Sequence, residues 1–205
     1  MKVNYQQMLD KTIDNIQKSD TLPRLLLHSC CAPCSSYVLE YLSKYFEITV
    51  FYYNPNIYPP EEFDYRSGEQ VRLVEAMDFV NSVDVVNCEY DSQSFYTAVR
   101  GLEEAPEGGE RCLQCFRLRL SKTAEYAKDN GYDYFTTTLS ISPHKNAQVL
   151  NAVGGEMEQK YGVRYLYSDF KKKEGYKRSI ALSAEYDLYR QNFCGCIYSK
   201  QKEKE

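Results

Sequence analysis

The sequence predicts an α/β fold, a single domain in which helices flank a parallel sheet. Short apolar runs rich in β-branched and aromatic residues alternate with longer segments of helical periodicity. The length of 205 residues suits one compact core, and no repeat, low-complexity tract or Gly/Ser linker divides the chain. We therefore predict a Rossmann-like sheet with crossover helices over residues 1–205.

The apolar runs predict five strands, and the periodic segments predict the helices that follow them. The strands are RLLLH (24–28), ITVFYY (48–53), VDVVNC (83–88), YDYFTTT (132–138) and VRYLY (163–167). The helices that follow are predicted at 35–46, 61–79, 113–130, 146–161 and 179–190. A further helix at about 5–18 precedes the first strand, and a cysteine-bearing segment at about 191–205 ends the chain.

Composition and charge narrow the functional classes. No apolar run approaches the ~20 residues that a membrane span requires, and the N-terminus lacks a signal-peptide pattern. We expect a cytoplasmic protein with no membrane partner and, at a net charge of -4, no DNA partner. Eight cysteines in a reducing compartment argue against disulfides and favour metal ligation or redox chemistry.

Seven of the eight cysteines fall into three clusters. The clusters are HSCCAPC with Cys30, Cys31 and Cys34, RCLQC with Cys112 and Cys115, and FCGC with Cys194 and Cys196. The first cluster lies between the first strand and its helix, at the sheet edge where open α/β folds bind ligands. Cys88 has no thiol close in sequence, so we predict that it is a buried small apolar residue.

The number of clustered thiols predicts two neighbouring metal centres. A 4Fe-4S cluster takes four cysteines, which leaves three for a separate ion. In extended chain the side chains of Cys30 and Cys31 leave on opposite faces, so we expect them to be poorly placed to serve one small centre equally. The spacing does not decide which four cysteines hold a cluster.

Two other interpretations of the cysteines remain open at this point. Four thiolates in two pairs would suffice for structural zinc, which predicts a zinc-stabilised RNA-binding module without redox catalysis. Alternatively, CAPC is a thioredoxin-like pair in which Cys31 attacks and Cys34 resolves. The surplus of thiols argues against the first interpretation, and the second leaves the RCLQC and FCGC clusters unexplained.

The three cysteine motifs, in this order, resemble the cobalamin-independent epoxyqueuosine reductases of the QueH type. The segments NPNIYP, TTLSISPHKN and GYKRS add to the resemblance, which covers residues 25–196. It implies an oxidoreductase that reduces the epoxide of epoxyqueuosine at the tRNA wobble position to give queuosine and water. The implied cofactors are a 4Fe-4S cluster and an adjacent mononuclear iron, and the implied partners are this tRNA and an external electron donor.

The fold pattern also resembles the adenine-nucleotide α-hydrolase (HUP) group. Members of that group that thiolate tRNA carry a Ser/Gly-rich phosphate loop after the first strand, whereas the corresponding loop here is cysteine-rich. The sequence also lacks a Walker GK[ST] loop. ATP binding therefore has little support.

The resemblance also implies roles for individual residues. All seven clustered cysteines become metal or cofactor ligands: Cys30, Cys31, Cys34, Cys112, Cys115, Cys194 and Cys196. In the family the separate iron is held by two cysteines and an aspartate, and the aspartate position matches Cys34. We expect Cys34 to be catalytic through an iron that polarises the epoxide. His28 is a candidate proton donor with an equally good interpretation as a satisfied strand-end histidine, and His144 ranks below it.

A basic segment near the C-terminus is a candidate tRNA contact. Its cationic residues are Lys171, Lys172, Lys173, Lys177 and Arg178. These side chains are suited to contact phosphates of the anticodon loop, although a solvated helix face explains them equally well. Tyr52, Tyr53 and Tyr58 are suited to stack on a base, but we favour core or rim packing for them.

Overall fold

The computed structural model describes residues 3–191 and 193–201 and shows one sheet of five parallel strands in the order β3-β2-β1-β4-β5. The strands are Arg24–His28 (β1), Glu47–Tyr52 (β2), Val83–Asn87 (β3), Tyr134–Thr137 (β4) and Arg164–Tyr165 (β5). This arrangement confirms the predicted α/β class and all five strands. β5 is only two residues long, although the Leu166 amide continues its pairing by donating to the Phe135 carbonyl.

Helices follow or precede each strand, as the alternating pattern predicts. They are Tyr5–Ile16 (α1), Ala32–Leu42 (α2), Pro60–Ala76 (α3), Ser92–Ala98 (α4), Glu110–Asp129 (α5), Ala147–Tyr161 (α6), Gly175–Glu185 (α7) and Ile197–Gln201 (α8), with a 3-10 turn at Thr138–Ile141. α1 confirms the predicted N-terminal helix. The short helices α4 and α8 were not predicted, and the predicted segment 191–205 is described only at 191 and 193–201.

Three helices begin earlier than the periodicity predicts. α2 begins at Ala32 instead of residue 35, because Pro33 fits the first helical turn. α5 begins at Glu110 instead of residue 113, which places Cys112 in its first turn. α7 begins at Gly175 instead of residue 179, and a Cβ added to Gly175 would lie 2.1 Å from the Phe170 carbonyl oxygen.

The central strand β1 is buried on both faces. Leu25 and Leu27 pack into the core under α1, α2 and α7, whereas Leu26 faces the opposite layer built by α5 and α6. Because alternate side chains of a strand point to opposite faces, a strand between two helical layers is apolar throughout, which explains the unbroken run RLLL.

The strand order places a topological switch point between β1 and β4. The loop after β1 carries the first cysteine cluster, and the loop after β4 continues through the 3-10 turn toward Lys145. Ligands of open α/β sheets bind beyond the strand carboxyl ends at this point. Among the helices of the described residues, none combines the length and apolar composition needed to cross a membrane.

Candidate metal centre

The first cysteine cluster forms a compact trio just beyond the end of β1. The sulfur atoms of Cys30, Cys31 and Cys34 all lie within 4.8 Å of one another, and those of Cys30 and Cys31 are 3.7 Å apart. The expectation that Cys30 and Cys31 point to opposite faces is wrong, because β1 ends at His28 and the chain bends at Cys30. Cys31 then occupies the N-cap position of α2, and Cys34 lies in the first turn of that helix.

The trio favours a single negative charge on Cys30. Thiols of Cys31 and Cys34 donate to the Cys30 sulfur and hold its pKa well below the usual value. The same hydrogen bonds, together with burial, raise the pKa of Cys31 to about 12 and that of Cys34 well above its usual value. A metal cation would remove the cost of ionising all three thiols, since metal-bound thiols are deprotonated outright.

A second group of four cysteines lines one small cavity. Cys112 and Cys115 come from the first two turns of α5, and Cys194 and Cys196 come from the segment before α8. These four side chains border a cavity of about 100 Å³. Gly195 adopts a φ of 97°, so it permits the predicted tight turn between Cys194 and Cys196.

Burial controls the state of two of these thiols, Cys115 and Cys196. Cys115 is 7% exposed, and burial raises its pKa to about 12. Burial also raises the pKa of the Cys196 thiol. The Cys112 sulfur accepts a hydrogen bond of 3.2 Å from the Gly108 amide. Without a bound cation, the buried members of this group are thus held as neutral thiols.

A larger cavity opens beside both groups. Its volume is about 660 Å³, and Cys34 of the trio and Cys194 of the second group both reach its wall. His144 borders this cavity and the smaller one. Cavities of this size bind small organic ligands, and 660 Å³ accommodates a nucleoside. Cys88 borders neither cavity and packs against the apolar cluster around Leu26, but it is half-buried and not buried as predicted.

Comparison with known proteins identifies the family. Residues 25–202 match the family model described as epoxyqueuosine reductase QueH. The chain is 44% identical over 200 residues to epoxyqueuosine reductase QueH of Streptococcus pyogenes, covering 97% of this chain and 78% of that protein. It is 43% identical to the protein of that name from Staphylococcus epidermidis, covering 98% of this chain and 87% of that protein. For the Thermotoga maritima protein of that name, identity is 35%, with 88% and 92% of the two chains covered.

The chain belongs to the epoxyqueuosine reductase QueH family. All three cysteine clusters fall inside the matched residues. The predicted resemblance is therefore confirmed.

His28, the predicted proton donor of this QueH-family chain, is enclosed by the sheet. It is 0% exposed, and its Nε2 lies 3.1 Å from the Tyr53 carbonyl oxygen while Nδ1 lies 2.9 Å from Thr137 Oγ1. Since a carbonyl only accepts, Nε2 carries the proton and Nδ1 accepts from the threonine hydroxyl. Burial and the nearby Arg119 charge lower the His28 pKa to about 3. This geometry favours the alternative, a satisfied strand-end histidine.

Replacing His28 with glutamine tests the two interpretations. We expect the free energy of unfolding to fall by about 1–3 kcal/mol, because a buried acceptor or donor loses its partner. Turnover per folded molecule should fall less than tenfold, whereas loss of a general acid costs about 100-fold or more. Denaturant unfolding and single-turnover rates measure both quantities. Thr137→Val, which removes the hydroxyl donor, should lower stability in the same direction, and a 100-fold loss of rate in His28→Gln would restore the catalytic role.

The basic segment carries less free charge in this QueH-family chain than its sequence suggests. Lys171 pairs with Asp169, Lys173 with Asp10, Lys177 with Glu174 and Arg178 with Glu40, at 2.5–3.5 Å. Lys171 also donates to the Ser140 carbonyl at 2.7 Å. Within the described residues, only Lys172 of the five has no ion pair. Contact of this segment with tRNA stays a prediction.

The three tyrosines differ in exposure. Tyr52 and Tyr53 are 0% and 6% exposed, and Tyr52 packs against Phe63. Core packing, the favoured interpretation, holds for these two. Tyr58 is 39% exposed and remains a candidate for contact with a base.

Two cationic residues near the thiols were missed at the level of the sequence. Arg119 is buried and borders the small cavity, and Lys145 borders it from the loop after β4. Burial opposes both charges, but the cysteines around them, in their ionised form, still raise both pKa values above their usual range. Arg119 follows Cys115 by four residues, which is a signal that it shares the thiol-bearing face of α5. Lys145 had no such signal.

Proposed function

We propose that the chain is an epoxyqueuosine reductase acting on the wobble nucleoside of tRNA in the cytoplasm. Two electrons and two protons remove the epoxide oxygen as water and leave a carbon-carbon double bond, which gives queuosine. Family membership supports this reaction. The structural observation that carries it is that Cys34 and Cys194, one from each thiol group, reach the wall of a nucleoside-sized cavity of about 660 Å³.

The donor set fits two metal centres. Four thiols around one cavity match the number that a 4Fe-4S cluster takes, and three sulfurs within 4.8 Å match a separate metal. We propose that Cys112, Cys115, Cys194 and Cys196 hold the cluster and that Cys30, Cys31 and Cys34 hold a mononuclear iron. When bound, the cluster passes electrons one at a time from an external donor, and the iron supplies a Lewis acid beside the cavity.

The cavity itself offers a binding site for the target nucleoside. The anticodon loop is single-stranded, so its wobble base can be extruded into a pocket without breaking a duplex. The part of the nucleoside that bears the epoxide would then lie against Cys34, with His144 on the same wall. In this arrangement the protein recognises the wobble nucleoside by enclosing it in the cavity. Recognition of this kind does not require a strongly basic protein surface.

Metal and sulfide content of the protein tests this proposal. Protein purified without oxygen should contain about five irons and about four acid-labile sulfides per chain, because only an iron-sulfur cluster brings sulfide. The same protein should convert epoxyqueuosine in tRNA to queuosine, detected by mass spectrometry of nucleosides. Zinc without sulfide, in protein that does not convert the tRNA, would instead support a zinc-stabilised RNA-binding module.

A further inference from the structure

Arg119 occupies an unusual position among the thiols. It lies on α5 seven residues after Cys112 and four after Cys115, so the three side chains share one helix face. The residue is 1% exposed and borders the cavity of about 100 Å³ that the four cysteines line. A buried guanidinium requires a negative partner or a set of acceptors.

The described residues offer a hydrogen-bond acceptor to only one nitrogen of the Arg119 guanidinium. Nη1 donates to Asn54 Oδ1 at 3.3 Å, while Nε and Nη2 have no hydrogen-bond partner among the described residues. No carboxylate of the described chain forms an ion pair with Arg119. Arg111, also buried on α5, contrasts with it, because Nη1 of Arg111 donates to the carbonyls of Leu102, Glu103 and Ala105.

The groups around Arg119 that can become negative are cysteine thiols. Once ionised, Cys115, Cys194, Cys30 and Cys112 would all stabilise its charge. The two unpartnered nitrogens, which carry three N–H groups, and the fixed positive charge therefore lack only an anionic acceptor inside the thiol-lined cavity. A cluster held by four thiolates is such an acceptor, since its sulfurs accept N–H hydrogen bonds and its net charge is negative.

We propose that Arg119 is the internal counter-ion of the four-cysteine cluster and raises its reduction potential, an inference that rests on the proposed function. Reduction adds one electron to the centre and no proton to Arg119, because guanidinium stays charged in both states. A fixed positive charge stabilises the more negative, reduced state more than the oxidised state. Arg119 is thus a positioning residue: it sets how readily the centre accepts an electron and does not touch the substrate.

Reduction potentials of three variants test this role. Arg119→Gln removes the positive charge, whereas Arg119→Lys keeps the charge but loses the planar guanidinium with its several N–H donors. Arg117→Gln is the control, because it alters a partly exposed arginine of the same helix. Each is purified without oxygen, assayed for iron and sulfide, and titrated with a reductant while visible absorption and electron paramagnetic resonance are recorded. We expect Arg119→Gln to lower the one-electron reduction constant at least about tenfold, or about 59 mV. Arg119→Lys should shift it less, and Arg117→Gln should match the wild type.

Each outcome decides the matter. An intact cluster with wild-type potential in Arg119→Gln, or equal shifts in the Gln and Lys variants, would overturn the counter-ion role. If Arg119→Gln assembles no cluster, assembly in Arg119→Lys supports the role, and failure there overturns it. Wild-type protein without sulfide would overturn the cofactor part of the proposed function instead, so the two failures are distinguishable.

Discussion

Replacing Cys34 with alanine is expected to abolish turnover while leaving about four irons and four sulfides per chain. Cys34 belongs to the trio within 4.8 Å and also reaches the wall of the large cavity. Without it, two thiols remain for the separate metal, fewer than the three protein ligands typical of catalytic sites. We expect the loss of about one iron per chain and of more than about 100-fold in rate, measured by metal analysis and nucleoside mass spectrometry.

Two further variants sharpen this prediction. Cys88→Ala removes a thiol that packs against the Leu26 cluster, outside both groups, and should leave metal content and turnover within about twofold of wild type. Cys34→Asp should recover the iron and part of the rate, since a carboxylate also binds iron. Full activity in Cys34→Ala would exclude a ligand role, and loss of all sulfide would assign Cys34 to the cluster.

Local sequence patterns predict the fold because each face of a strand or helix is either buried or exposed along most of its length. The three central residues of β1, Leu25, Leu26 and Leu27, are all apolar since helical layers cover both faces of the strand, and that burial makes the strand recognisable without any partner. Starts of helices are less predictable. Gly175 begins α7 because the Phe170 carbonyl leaves no room for a Cβ, and this contact exists only in the folded chain.

The candidate site is only partly predictable for a related reason. Spacing in sequence finds the cysteine clusters and their placement beyond β1, but it does not determine how they group in space. Cys30 and Cys31 face one another because the chain bends between β1 and α2, where strand alternation no longer applies. The ion pairs of the basic segment are equally hard to predict from spacing in sequence. Lys173 pairs with Asp10 and Arg178 with Glu40, and both partners lie more than 130 residues away in sequence.

Replacing Cys115 with alanine is expected to remove essentially all acid-labile sulfide and to abolish turnover. Cys115 lies on the second turn of α5 and is 7% exposed, between the small cavity and the apolar pair Phe95 and Val99. Three thiols would remain around that cavity, one fewer than a 4Fe-4S cluster takes. Sulfide analysis and visible absorption of protein purified without oxygen measure the loss.

The fold should survive this change, because α5 is held to the sheet mainly by Leu120 and Ala124, which lie one and two turns further on. Circular dichroism and denaturant unfolding check this, with Cys88→Ala as the control for removal of one sulfur atom. Retention of four sulfides in Cys115→Ala would require a thiol of the trio to replace Cys115 in the cluster. The two alanine variants then separate the centres: Cys34→Ala keeps sulfide and loses one iron, whereas Cys115→Ala loses sulfide. Structural zinc predicts no sulfide in either variant, so this pair of measurements assigns both thiol groups independently of activity.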